Sequence, residues 1–355
     1  IAMALSNTRV VPMESRAYDF VTEWLVPLAI PLLLFRANFR EIIGTGRMFL
    51  VFHIATVGTL LGTAIAVVVL KPWITSPDLA HAAGMMAASY IGGGVNFMAV
   101  KASYGVREAV TNPLIVADNF VMAGAFILML AIAASRWFRA RFPHPHSLDS
   151  DSDKNLAAEH WQRKGISLLD VARTLAFGFA VMAVAGLLGR VTRGAFGDVS
   201  QSSVFVQVLH VLCTNKFVLL TLVTLVCATL FNKSLAKVNG AEELGTYMLL
   251  LFLFTLGLPA DLVAVVIHAP LFLVFCGIIA GVNVTFTLLV GKALRQNLEE
   301  LLLACNATLG GPPSAAAMAT SAGWPKLVLP AILVGIWGYV IGTPIGVIVI
   351  EILTR

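Results

Sequence analysis

The residues best suited to hold a ligand sit in two short stretches. "SYIGGGVNF" carries Gly92, Gly93, Gly94 and Asn96, and "NATLGGPPS" carries Asn306, Thr308, Gly310, Gly311 and Ser314. Consecutive glycines allow the positive φ angles and close approach that a broken helix needs. Pro312 and Pro313 break a helix by removing backbone donors. A helix interrupted inside an apolar run leaves N–H groups and the positive dipole end on one side of the gap and bare carbonyls on the other. The first suits a polar or anionic solute and the second a cation. Small residues for close helix packing, as in GxxxG contacts, are the competing explanation. That explanation covers the glycines, but not paired prolines and an asparagine at matching places.

Asp118, in "NPLIVADNFVMAGAF", stands about a turn and a half inside another apolar segment. An intramembrane carboxylate is costly and marks a functional site by default, and Asn119 beside it could share a Na+ ion or a proton. The competing role is an acid near the interface that pairs with Arg107. Enzyme chemistry finds no support, because GxSxG, HExxH, Walker A and dinucleotide fingerprints are all missing from the chain. None of the seven histidines has metal-ligand spacing, and the four cysteines (Cys213, Cys227, Cys276, Cys305) lack CxxC spacing. The expectation is a protein that is not an enzyme, with no catalytic residue, no cofactor and no metal beyond a coupling Na+. The NxS/T triplets at Asn232, Asn283 and Asn306 lie at or within apolar segments and are not credible glycan acceptors.

The elements that must position these residues follow from composition. Of 355 residues, 58% are hydrophobic and 12% charged, and the mean hydropathy is +0.88. A soluble domain carries about a quarter charged residues, so this is an all-α polytopic membrane protein, with the lipid bilayer as its main partner. Its net charge of +5 speaks to orientation rather than to nucleic acid, which is not an expected partner. Apolar segments run over Tyr18–Phe35, Met48–Leu70, Leu79–Val100, Pro113–Ser135, Ile166–Gly189, Lys216–Ala236, Glu243–Leu258, Pro270–Val290, Leu298–Ala319 and Lys326–Leu353. Between them lie a polar linker, 136–165, and a connector, Val191–Asn215, read as an interfacial amphipathic helix. The opening "IAMALSN" reads as the tail of a hydrophobic helix whose beginning is missing.

The chain also repeats itself. "IGGGVNFMAVKASYG" (91–105) aligns without a gap on "LGGPPSAAAMATSAG" (309–323), and "RMFLVFHIATVG" (47–58) on "PLFLVFCGIIAG" (270–281). Two blocks in the same order with nearly the same offset indicate an internal duplication. Basic clusters at Arg36, Arg40 and Arg47, at Arg136, Arg139 and Arg141, at Lys233 and Lys237, and at Lys292 and Arg295 mark cytoplasmic loops, whereas the loop 259–269 has none. Equivalent loops therefore fall on opposite faces, and the repeats are expected to be inverted. The count works if Leu79–Val100 is a re-entrant hairpin; a fully crossing, centrally unwound helix is the alternative. The expected organisation is a first membrane repeat over 1–135, with an apparently incomplete N-terminal helix, and the cytoplasmic linker 136–165. A connecting helix and interfacial segment over 166–215 and a second repeat over 216–355 follow.

"ALSNTRVVP", "YDFVTEWLVPLAIPLLLFRANFREI" and "SYIGGGVNFMAV" resemble the DUF819 (YjcL-like) integral membrane family, and the resemblance runs through nearly the whole chain. That family is grouped with the cation:proton antiporter and anion transporter superfamily. The resemblance implies a scaffold plus a mobile core that moves as an elevator, with breaks like those in bacterial citrate and glutamate carriers. It carries a substrate role to Gly92–Asn96 and Gly310–Ser314 and an ion role to Asp118. The expected function is a secondary active transporter in a bacterial inner membrane, moving a small organic solute, anions among the candidates, with Na+ or H+ coupling. A homodimer follows from the scaffold analogy. An ion channel or a non-transporting membrane receptor is the alternative.

Overall fold

A computed structural model describes residues 8, 10–12, 15–145, 165–196, 204–256, 258 and 262–354. The chain is all helical, with no strand among the described residues. The "IAMALSN" opening and most of the polar linker lie outside them.

The first element is α1 (Arg16–Phe20), which passes through a π-helical turn, Val21–Leu25, into α2 (Val26–Leu33). Pro27 and Pro31 explain the widened turn and the short helix, because neither offers an N–H to the carbonyl four residues back. The segment Tyr18–Phe35 is therefore one helical run to Leu33 with a π-helical turn in it. After α3 (Phe39–Gly44), α4 (Arg47–Leu70) crosses as a 24-residue helix. It packs against α14 (Leu262–Ala293). Gly58 and Gly62 set that contact: a Cβ on Gly62 would lie 2.8 Å from Ile279 Cα, and one on Gly58 3.1 Å from Asn283 Cα. Small residues one turn apart are what allow two backbones to meet in this way.

Next come α5 (Asp78–Gly92) and α6 (Gly94–Tyr104), separated by Gly93 at φ 75°, ψ 179°. A continuous helix rises about 1.5 Å per residue, so the far ends of this pair would stand roughly 40 Å apart if it ran straight. Instead Arg107 donates to both carboxylate oxygens of Asp78, at 2.7 and 2.8 Å. The His81 and Tyr104 rings lie 6.1 Å apart. The segment is a hairpin that turns back at Gly93, not a crossing helix. The paired carboxylate holds the pKa of Arg107, on the surface, above its ordinary value.

The return element is α7 (Glu108–Ala134), followed by α8 (Arg136–Arg139). Then α9 (Leu168–Phe196) absorbs the first residues of the expected connector. What remains of that connector is α10 (Val204–Thr214), which meets α11 (Lys216–Leu230) at 67°. Asn215 makes the corner by accepting from the N–H groups of Phe217 and Val218. The chain continues through α12 (Asn232–Leu235), α13 (Ala241–Leu256) and α14 to α15 (Leu298–Ser321), and ends in α16 (Val328–Leu353).

Gly311 breaks α15 at φ 75°, ψ −173°. Asn306 Nδ2 reaches Met318 Sδ at 3.2 Å across that break, a contact that an unbroken helix between them would forbid. Leu298 and Glu299 at its start share a small pocket with Trp324 beyond its end. This segment is a second hairpin. Among the described residues five helices are long and apolar enough to cross a membrane, or six if α10 and α11 form one bent span. Large apolar side chains such as Val68 (75% exposed) and Phe120 (68%) coat their outer faces, as a lipid-facing surface requires.

The dihedral pair at Gly311 is one that essentially only glycine adopts, and a side chain there costs about 1–3 kcal/mol. Gly311→Ala is expected to lower the thermal midpoint measured in detergent. Gly124→Ala, in a helical position with open space around it, is expected to leave that midpoint unchanged or raise it.

Candidate functional site

The two hairpin tips meet. A Cβ on Gly93 would lie 3.6 Å from Gly311 Cα and 3.5 Å from the Tyr339 ring, and one on Gly311 would lie 3.4 Å from the same ring. Tyr339, on α16, thus covers both breaks. Gly93 and Gly311 occupy aligned places in the sequence repeat and share φ 75°. Gly105 and Gly323, which end the two hairpins, are again an aligned pair, and both have positive φ.

Each tip is braced by its own polar residues. Asn96 is buried; its Nδ2 donates to Gly338 O at 3.1 Å, and its Oδ1 accepts from Thr343 Oγ1 at 2.7 Å. Its side chain therefore ties the first hairpin to α16. Gly92 is where α16 comes nearest, and a Cβ there would collide with Gly338 O. Asn306 does the equivalent within the second hairpin, where Ser314 Oγ donates to its Oδ1 at 2.6 Å. Gly310 lies against Ser314 and Met122 of α7, with a Cβ-to-Cε distance of 2.6 Å if a side chain were present. Thr308 is fully buried and donates to Cys305 O at 2.9 Å. Gly94 is the member of the set that faces open space.

Asp118 stands beside the first tip. Ser89 Oγ donates to its Oδ2 at 3.3 Å, and the Tyr90 hydroxyl faces it. Asp118 Oδ1 and the Tyr90 hydroxyl are both buried, and the Cys276 thiol lies beside that hydroxyl. Arg107 does not pair with Asp118, since Asp78 takes its guanidinium. Asn119 does not join Asp118 either. Its side chain is exposed and donates to Ile115 O of its own helix at 3.0 Å. Successive residues on a helix point about 100° apart, so one of this pair faces inward and the other outward.

Several residues that the sequence left unmarked connect the site. Thr59 Oγ1 donates to Tyr90 O at 2.8 Å, capping a carbonyl that the first break frees. Asn283 Nδ2 lies 2.8 Å from Thr59 Oγ1 and 3.3 Å from Thr308 Oγ1, so one amide on α14 bridges the two hairpins. Arg36 lies with Glu242 and Glu243 along a cleft that reaches Pro312 and Tyr339, with about 50 Å³ of space for water. Val238 O and Asn239 Oδ1 hold the guanidinium from one side, at 2.8 and 3.2 Å.

The molecule is thus a helical integral membrane protein whose centre is made by two interrupted segments. Its full length, residues 1–355, matches the family described as "Protein of unknown function (DUF819)", and the chain belongs to that family. It is 42% identical over 349 residues to the uncharacterized membrane protein YjcL of Bacillus subtilis (strain 168), a match covering 97% of this chain and 86% of the relative.

Asn96→Ala would leave Gly338 O and Thr343 Oγ1 without their partner in a buried setting, at about 1–3 kcal/mol for each group. A lowered thermal midpoint, with no such loss for Asn119→Ala, is the expected result of differential scanning fluorimetry.

Proposed function

We propose that this protein is a secondary active transporter of a small organic solute, coupled to Na+ or H+, and that the meeting hairpin tips form its substrate site. The observation that carries this reading is the contact between Gly93 and Gly311 under Tyr339. Non-helical backbone at membrane depth is tolerated only where it lines a cavity or is buried in protein, and paired breaks are the usual pointer to a transporter site.

The hairpins support inverted repeats. Leu298 N donates to Pro143 O, beside the basic cluster after α7, at 2.9 Å, so the second hairpin opens on the linker side. The first opens beside Tyr104, whose hydroxyl donates to Glu351 Oε1 at the far end of α16. By the charge rule the linker side is cytoplasmic, and the location is a bacterial inner membrane. In this reading α4 to α7 and α14 to α16 make the moving core. The packed helices α2, α9, α11 and α13 make a scaffold on which two copies pair. The boundaries near 135, 165 and 215 are those of the two repeats and the segments between them, and each repeat contributes helices to both core and scaffold.

The two tips divide the work unequally. The first turn of α6 offers the backbone N–H groups of Gly94 and Val95, whereas the matching turn of α15 starts with two prolines that have none. A polar or anionic group on the solute is therefore held from the first tip. Asp118 supplies the one buried carboxylate near the tips among the described residues, suited to the coupling ion.

Proteoliposomes with imposed Na+ or proton gradients test this directly. Uptake that follows one of the gradients is the expected outcome, and gradient-independent flux at channel-like rates would replace the transporter with a channel. Asp118→Asn is expected to weaken the cation dependence of uptake while leaving the protein folded.

A further inference from the structure

The Asn283 amide has a fixed orientation. Ala55 O, 2.8 Å from its Nδ2, can only accept, so the nitrogen must face α4 and the oxygen must face away from it. That oxygen, Asn283 Oδ1, is buried without a partner among the described residues, and Thr287 Oγ1, one turn further along the same face of α14, is buried with the Cys305 thiol beside it. Both residues are 0% exposed. Buried oxygens with unused lone pairs call for a third party, and the Thr287 hydroxyl keeps both of its lone pairs even when it donates to the thiol. Thr308 Oγ1 adds an oxygen with lone-pair capacity from α15, and the Cys305 thiol lies beside Thr287.

The local field has a definite sign. Tyr90, whose carbonyl Thr59 caps, belongs to the last turn of α5, and Thr308 belongs to the last turn before the Gly311 break. Two helix C-terminal ends therefore converge on Asn283, each carrying roughly half a negative charge. Together they offset about one unit of positive charge without any carboxylate, which excludes a divalent ion. Neutral amide and hydroxyl oxygens are hard ligands with no proton affinity at neutral pH, so a proton is excluded as well.

We propose that Asn283 Oδ1 and Thr287 Oγ1, with Thr308 Oγ1, form a Na+ site between α14 and the second hairpin, separate from Asp118. The places aligned with Asn283 and Thr287 in the first repeat are Leu60 and Ala64, so there is one such site per chain. Its ion links to both tips at once, through Thr59 to Tyr90 and through Thr308 to the Gly311 break. That makes it a means of coupling Na+ binding to the shape of the substrate site. The coupling role rests on the transporter reading; the binding itself does not.

The test is the thermal midpoint of the purified full chain in detergent, with NaCl replaced stepwise by choline chloride at constant ionic strength. A ligand that binds only the folded state raises the midpoint with its concentration, so saturable stabilisation by Na+ over choline is expected. Thr287→Val, which keeps the shape and loses the oxygen, should raise the half-maximal Na+ concentration about ten-fold. Thr287→Ser should restore it. Equal midpoints in Na+ and choline for the native chain would reduce the site to buried water and overturn the proposal. So would an unchanged Na+ response in Thr287→Val, or a response lost in Asp118→Asn but kept in Thr287→Val. Na+ stabilisation without gradient-driven uptake would instead sink the transporter reading and leave the site standing.

Discussion

Backbone that leaves the helix inside a bilayer must find partners within the protein, because lipid offers none and each orphaned group costs several kcal/mol. The rest of this structure is arranged around meeting that demand twice. At the first tip Ser89 O accepts from Gly93 N at 2.5 Å and Tyr90 O accepts from Thr59. At the second, Thr308 folds its hydroxyl back onto Cys305 O and Ser314 donates to Asn306 Oδ1. The helices packed around the tips, α4, α14 and α16, are held close by Gly58, Gly62 and Gly338. Close packing and broken helices are parts of one solution: small residues bring the donors near enough to reach the freed carbonyls.

The two tips meet the demand by different chemistry. Asn96 is consumed by its bonds to α16, while Gly94 keeps open space in front of the α6 N-terminus. In the second hairpin the prolines have no donors to satisfy, and Asn306 and Ser314 close the hairpin on itself. The two segments thus share a backbone conformation at Gly93 and Gly311 and differ in what they present. The buried oxygens of Asp118, Tyr90, Asn283 and Thr287 lie on the flanks of the tips rather than at their centre.

Much of this was legible in the sequence. Glycine pairs in apolar runs, recurring at aligned places of the duplication, marked both breaks. The structure puts positive φ at the aligned Gly93 and Gly311 and again at Gly105 and Gly323. The turn-back could be preferred over a crossing only by counting charges, and it needed the Arg107–Asp78 pair to decide it. What local pattern could not reach is who braces whom. Thr343 and Gly338 lie in the opposite half of the chain from Asn96, and Asn283 carried no signal beyond an implausible glycan triplet. Arg36 likewise comes to the Pro312 cleft only through folding. Asn119 is different: adjacent helical residues diverge by about 100°, so helix geometry alone opposed its pairing with Asp118. The π turn before Pro27 was likewise written in the proline spacing.

The central claim is that both interrupted segments enter and leave the membrane on one side, and on opposite sides from each other. Single cysteines at Thr75 and Arg107 flank the first hairpin, and at Gln296 and Lys326 the second. Placed in a background without the four native cysteines, they can be probed with an impermeant thiol reagent in vesicles of known orientation. Cysteines at Thr75 and Arg107 should react from one face only, and those at Gln296 and Lys326 from the other only. Members of one pair reacting from opposite faces, or all four from the same face, would contradict it.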